Sequence, residues 1–349
     1  MTSVKHDLKI PEKYLSAMKS QETGLSSDSP LQTLYDQLES DMEKVNDCIL
    51  ENMHSKIPLI PQLAEYLVNA GGKRIRPLLT LACTRLHSGS MQRGHGLAAA
   101  VEFIHSATLL HDDVVDDSSE RRGKPSANTI FGNEASVLVG DFLFSRAFQL
   151  MVKDGSLETL RILSDAAATI AEGEVHQLTT QNNLDTTLDD YLNVIAGKTA
   201  ALFAAACEVG PVIASAPAEA TRYYGWNLGM AFQIVDDVLD FSAKQEQLGK
   251  SIGDDFAEGK MTAPILFALE KANSEERSFW LRTLGDKNQT AGDLAQAQAY
   301  IHKHQGFERS IQLAEKYIQE AHKALESMPK TELYDTLDAL LLFTLKRLY

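Results

Sequence analysis

An all-α fold is what this 349-residue chain predicts, on three observations. Apolar residues recur at three- and four-residue spacing through most of it. No convincing run of strand-like alternation interrupts that period. The breaks between periodic segments carry Gly, Lys, Arg and Asp, with neither the composition shift of a linker nor an internal repeat. One large helical domain, residues 31–349, is therefore expected.

The elements follow in order. Residues 1–30 are polar and Ser-rich and read as a flexible N-terminal tail. Ser29-Pro30 reads as a helix start, with Ser as N-cap and Pro at the first helical position, and "LQTLYDQLESDMEKVNDCIL" carries that helix on. After the breaker "NAGGKRIRP" comes "LAAAVEFIHSATLLHDD", ended by "SSERRGKPSAN". "EASVLVGDFLFSRAFQLM" and "LRILSDAAATIAEGEVHQL" continue the period as far as "NNLDTTLDD". "YLNVIAGKTAALFAAACEVG" is Ala-rich and apolar on all sides, which predicts a helix inside the bundle. Its most apolar part, residues 199–216, holds Glu208 and Pro211 and is too short and interrupted to span a bilayer. "YYGWNLGMAFQIVDDVLDF" precedes a long polar break at 242–264, and "APILFALEKA" and "LYDTLDALLLFTLKRLY" complete the pattern.

Composition limits the partners. With 44% hydrophobic and 23% charged residues, the chain reads as a soluble globular protein. A net charge of -15 argues against nucleic acid, whose phosphates are held by clustered Lys and Arg. It does not exclude an anionic substrate held through a metal or a local basic cluster. Cys48, Cys83 and Cys207 are odd in number and lack CxxC spacing, as expected of reduced cytosolic thiols. The N-terminus has no apolar h-region, so a cytoplasmic protein without a signal peptide is expected.

The chemistry is concentrated in "LLHDDVVDD" and "FQIVDDVLDF". On a helix Asp112 and Asp116 emerge on one face a turn apart, with Asp113 on the flank. Carboxylates that close repel unless a cation lies between them, and hard oxygen ligands suit Mg²⁺ completed by substrate phosphate oxygens. One such cluster is as well explained by a solvated helix end. The second cluster, Asp236, Asp237 and Asp240 with Gln233 a turn earlier, tips the balance toward two acidic faces holding a diphosphate through metal.

Cations complete the set. Lys73, Arg74 and Arg76 follow two glycines, and Arg121, Arg122 and Lys124 follow the first acidic cluster. Arg offers a planar fork for phosphate oxygens and Lys a point charge, so a second phosphate-bearing substrate held without metal is expected. "GGKRIRP" is not a Walker A loop, lacking its second Gly and its GK[ST] ending. Taken alone, each basic run is an exposed loop. His105 lies two turns before Asp112, within reach of a substrate phosphate, although a lone His is more often core. Lys198-Thr199 interrupts an apolar helix; an unpaired buried Lys is costly, so it meets an anion in a cavity or reaches the surface. Neither GxSxG nor HExxH is present.

"GGKRIRP", "HDDVVDD" with "RRGKP", "GKTAALF" and "FQIVDDVLD" resemble, in order and spacing, the motifs of the trans-type prenyl diphosphate synthases. The likeness runs from about residue 31 to the C-terminus. It implies an all-α bundle of long helices around a central cavity, usually homodimeric. It also implies head-to-tail addition of isopentenyl diphosphate to an allylic diphosphate of the farnesyl or geranyl type. Position by position, Asp112, Asp116 and Asp236 resemble the principal Mg²⁺ ligands, supported by Asp113, Asp237 and Asp240, with about three ions when substrate is bound. Lys73, Arg76, His105 and Arg122 resemble the isopentenyl diphosphate site. Arg121, Lys198, Thr199, Gln233, Lys250 and Lys260 resemble contacts to the allylic diphosphate, Lys198 being counted with the catalytic set. Asp117, Asp254 and Asp255 receive no role.

In this family, bulky residues just ahead of the first acidic motif stop chain growth early. Here Ala107 and Thr108 are small, and the surrounding helices look most like the long-chain enzymes that make octaprenyl or decaprenyl tails of respiratory quinones. The rivals are a shorter-chain farnesyl or geranylgeranyl synthase, a class I terpene cyclase and a non-catalytic subunit of a heteromeric synthase. A cyclase needs no second phosphate site, and non-catalytic subunits tend to lose motif aspartates. Membrane contact, if any, is expected only while product leaves.

Overall fold

The computed structural model describes residues 29–69, 73–121, 124–242 and 252–347. Most of the expected tail lies outside the described residues, but the helix start is as read. Ser29 is extended and its hydroxyl accepts from the Gln32 amide at 3.3 Å, with Pro30 in the first turn of α1 (Pro30–Asn52). Leu34, Leu38, Met42, Val45 and Ile49 recur on the buried face of α1, as the period requires.

α2 (Leu59–Asn69) and α3 (Ile75–Leu86) lead into α4 (Met91–Val115), which carries the first aspartate cluster on its last turn. The Asp116 amide donates to the Asp112 carbonyl at 2.8 Å, the closing bond of that helix. A two-residue antiparallel hairpin follows, β1 (Glu120–Arg121) with β2 (Lys124–Pro125). Two-residue strands leave no alternation to read, and among the described residues they are the sole departure from the all-α expectation.

α5 (Ala127–Phe131), α6 (Asn133–Asp154), α7 (Leu157–Thr180) and α8 (Leu188–Ile195) continue the bundle. A π-helical turn, Ala196–Ala200, joins α8 to α9 (Ala201–Ile213). α9 is buried nearly all round, in contact with α3, α4, α7 and α10 (Glu219–Ser242). The helical run Leu188–Ile213 is longer than the apolar segment alone and could span a membrane by length and composition, but 72% of its apolar window is buried inside the protein. Packing, rather than insufficient length, marks it as a core helix.

The remaining helices are α11 (Asp254–Glu258), α12 (Ala263–Lys271), α13 (Ser274–Trp280) with a second π-helical turn at Leu281–Gly285, α14 (Asp293–Lys303), α15 (Gly306–Glu326) and α16 (Glu332–Lys346). α4 packs along α6 and α10 along α15, and these pairs flank α9. Both aspartate-bearing helices thus open at one end of the same bundle.

Candidate active site

A cavity of about 630 Å³ lies between α4, α7, α10 and the π turn. Asp112 and Asp116 line one side, and Asp236, Asp237 and Asp240 line the other. Lys73, Arg76, His105, Arg121, Lys198, Thr199, Gln233 and Lys260 also face it, so residues far apart in sequence share one chamber. Arg122 and Lys250 lie outside the described residues.

The first cluster is already paired with cations. Lys260 Nζ reaches Asp116 Oδ2 at 3.1 Å and also pairs with Glu258. Lys198 Nζ is 2.7 Å from Glu174 Oε2 and 3.7 Å from Asp112 Oδ2. Burial alone would lower both ammoniums, but the surrounding carboxylates hold them above the ordinary lysine value. Burial raises Asp112 against the pull of Lys198, and pushes Glu174 up to about 6. Asp113 is 1% exposed and does not line the cavity. It accepts from Arg121 Nε at 2.8 Å, so it anchors that guanidinium instead of facing substrate.

In the second cluster Asp237 and Asp240 are held by neutral donors, while Asp236 meets the Arg347 guanidinium. Thr199 Oγ1 donates to Gln233 Oε1 at 2.8 Å, and Gln233 Nε2 donates to Asp237 Oδ1 at 2.8 Å. The buried Tyr191 hydroxyl donates to the other Asp237 oxygen at 2.6 Å. The Asp255 amide donates to Asp240 Oδ2 at 3.2 Å. Burial, with Asp255 nearby, pushes Asp237 and Asp240 each up to about 8. Carboxyls so crowded suit a divalent cation, which relieves the repulsion that otherwise favours protons. Among the described residues no three Asp, Glu, His or Cys side chains form a ready-made cage.

At the other end of the chamber Arg76 Nη1 lies 3.2 Å from His105 Nε2, with its guanidinium over the Phe203 ring at 4.6 Å. Arg74 pairs with Glu102. Of the small residues ahead of the first cluster, Thr108 lines the cavity, whereas Ala107 is fully buried beside it.

Glu174, Tyr191, Asp255 and Arg347 were not expected at the site. "GEVHQL" carries no signal beyond helical period, and Asp255 is one acid of many. Arg347 is distant in sequence from every motif, so only the fold brings it in.

The polyprenyl synthetase family model matches residues 57–301. The chain is 42% identical over 335 residues to the octaprenyl diphosphate synthase of Haemophilus influenzae, covering 95% of this chain and 100% of that one. A decaprenyl diphosphate synthase from Rhodobacter capsulatus superposes with a TM-score of 0.87 at 48% identity, over 91% of this chain and 99% of that one. A Caulobacter crescentus polyprenyl synthase complexed with calcium and isoprenyl diphosphate gives a TM-score of 0.89 at 46% identity, over 93% and 100%.

Proposed function

The chain belongs to the polyprenyl synthetase family, and on that premise we propose that it is a long-chain all-trans polyprenyl diphosphate synthase. It extends an allylic diphosphate, of the farnesyl or geranyl type, with isopentenyl units. The carrying observation is that two aspartate clusters and two sets of cations line one chamber. The octaprenyl and decaprenyl synthases among its relatives support a long product, and overall likeness favours decaprenyl, as the side chain of ubiquinone.

Asp112, Asp116 and Asp236 would hold Mg²⁺, which when bound neutralises charge growing on the departing diphosphate. Lys198, Lys260 and Arg121 supply fixed donors to the same diphosphate, and Arg76 and His105 hold the second one at the far end of the chamber. Thr199, Gln233 and Tyr191 keep Asp237 oriented behind Asp236. Lys198, Lys260 and Arg121, paired as they are with carboxylates, exchange partners when substrate enters.

A homodimer is part of the proposal. On α6, Val137, Leu138, Phe148 and Val152 are exposed on one face, and Val175 and Leu178 extend exposed apolar surface on α7. A cytoplasmic enzyme, touching membrane only as product leaves, completes the reading. Purified chain incubated with farnesyl diphosphate, labelled isopentenyl diphosphate and Mg²⁺ should yield octaprenyl or decaprenyl diphosphate by reversed-phase chromatography. No incorporation would refute the enzyme; a farnesyl or geranylgeranyl product would refute the long-chain assignment.

A further inference from the structure

Lys198 has two carboxylates within reach and leans on one of them. Its Nζ is 2.7 Å from Glu174 and 3.7 Å from Asp112. The backbone explains the preference. Lys198 sits in the π-helical turn Ala196–Ala200, where Gly197 touches Gly173 of α7. A Cβ on Gly173 would come within 2.7 Å of the Lys198 amide nitrogen, and one on Gly197 within 3.0 Å of Gly173 Cα. Two glycines therefore let the backbones meet, and Glu174, next in sequence, is carried to the ammonium.

Glu174 is otherwise hard to account for. It lines the cavity, and its Oε1 is buried with no hydrogen-bond partner among the described residues. A carboxylate beside a diphosphate site repels the substrate, unless it does something the site needs more.

We propose that Glu174 is a positioning residue that holds the Lys198 ammonium off Asp112. The cation then stays presented to an incoming diphosphate, and Asp112 stays open to metal. Without the Glu174 charge, Asp112 is the remaining carboxylate within reach of Lys198, and the ammonium closes onto it. This inference rests on the diphosphate-site reading above.

The sign of the effect separates positioning from simple charge. Removing a negative charge near an anion site strengthens anion binding if nothing else changes. Loss of positioning weakens it, because Lys198 is drawn away.

Isothermal titration of inorganic diphosphate into the full chain, with chelator present, reads this without turnover. Glu174→Gln, nearly the same shape, is expected to weaken binding roughly five- to tenfold. In a Lys198→Met background the same substitution should reverse sign and tighten it, since no ammonium is left to hold. In condensation assays KM for the allylic diphosphate should rise, with KM for isopentenyl diphosphate unmoved. If Glu174→Gln does not fold by circular dichroism, Glu174→Met is read instead. Unchanged or tighter binding when Glu174→Gln is made in the otherwise wild-type chain, or weakening of equal size with and without Lys198→Met, would overturn the proposal. A wild-type chain that binds no diphosphate would overturn it too. A wild type that binds diphosphate yet condenses nothing would instead refute the proposed function.

Discussion

The guanidinium of Arg347, one residue past the last helix, stands 2.7 Å from the carboxylate of Asp236. It also lies over the Phe232 ring at 4.8 Å, and all three residues face the cavity. A cation so placed competes with a metal for Asp236. Arg347→Gln should therefore lower the Mg²⁺ concentration giving half-maximal rate by roughly threefold or more. A metal titration of initial rates checks this. An unchanged or higher requirement would show that the pair does not compete.

Asp112 and Asp113 are adjacent in sequence but should fail differently. Asp112 faces the cavity, and its neighbour Lys198 keeps Glu174 as a partner if the charge is removed. Asp112→Asn should cost about a thousandfold in kcat/KM, with little change in Tm. Asp113 is buried against Arg121, itself partly exposed, so Asp113→Asn leaves that guanidinium without its carboxylate. About 1–2 kcal/mol of stability should be lost there, discounted for the solvent Arg121 reaches. Thermal melts beside rate assays separate the two. Equal stability loss in both variants would contradict the division of roles.

Glu276 gives a pH dependence outside the cavity. Its carboxylate caps the start of α13, accepting from the Asn273 amide at 2.9 Å, and pairs with Lys303 at 2.5 Å and His304 at 2.8 Å. Burial works against its charge, but these donors outweigh it and hold Glu276 down at about 2. A carboxylate lowered on folding contributes stability above its unfolded value, near 4.3, which fades as pH falls toward about 2. Glu276→Gln should thus be destabilised at pH 7 and approach the wild type in acid. Denaturant midpoints measured down the pH scale test it; a deficit as large at about pH 2 as at pH 7 would contradict the assignment.

The helices and the aspartate clusters were legible because each rests on local information. α4 and α10 show both their period and their acids in one short stretch. Lys198 was legible as a problem, a charge in an apolar helix, and the structure answers it with Glu174. Glu174 itself was not legible. What brings it to Lys198 is a contact between Gly173 and Gly197 across two helices, and small residues in separate segments do not announce that they touch. Arg347 is hidden for the same reason, since only the packing of α16 returns the chain's end to the second cluster. The pairing of Asp113 with Arg121 rather than with substrate also escaped the motif, which gives four aspartates equal standing while burial does not.

On the proposed function, product length should turn on the space beside Asp112. Ala107 lies on α4 and is fully buried, while Thr108 next to it lines the cavity and donates its hydroxyl to the Ile104 carbonyl at 2.9 Å. On that reading a growing prenyl chain anchored at the aspartates passes this part of α4 as it lengthens. Neither side chain is large enough to stop it. Ala107→Phe or Ala107→Tyr places a ring where there is now a methyl group, at a cost of about 1–3 kcal/mol for overpacking. Either substitution leaves the aspartates and cations that line the cavity in place, so isopentenyl diphosphate should still be incorporated. Growth should then end several units early, and chromatography of the dephosphorylated products would show the shift. An unchanged product from a folded variant would place the floor elsewhere, deeper than Ala107.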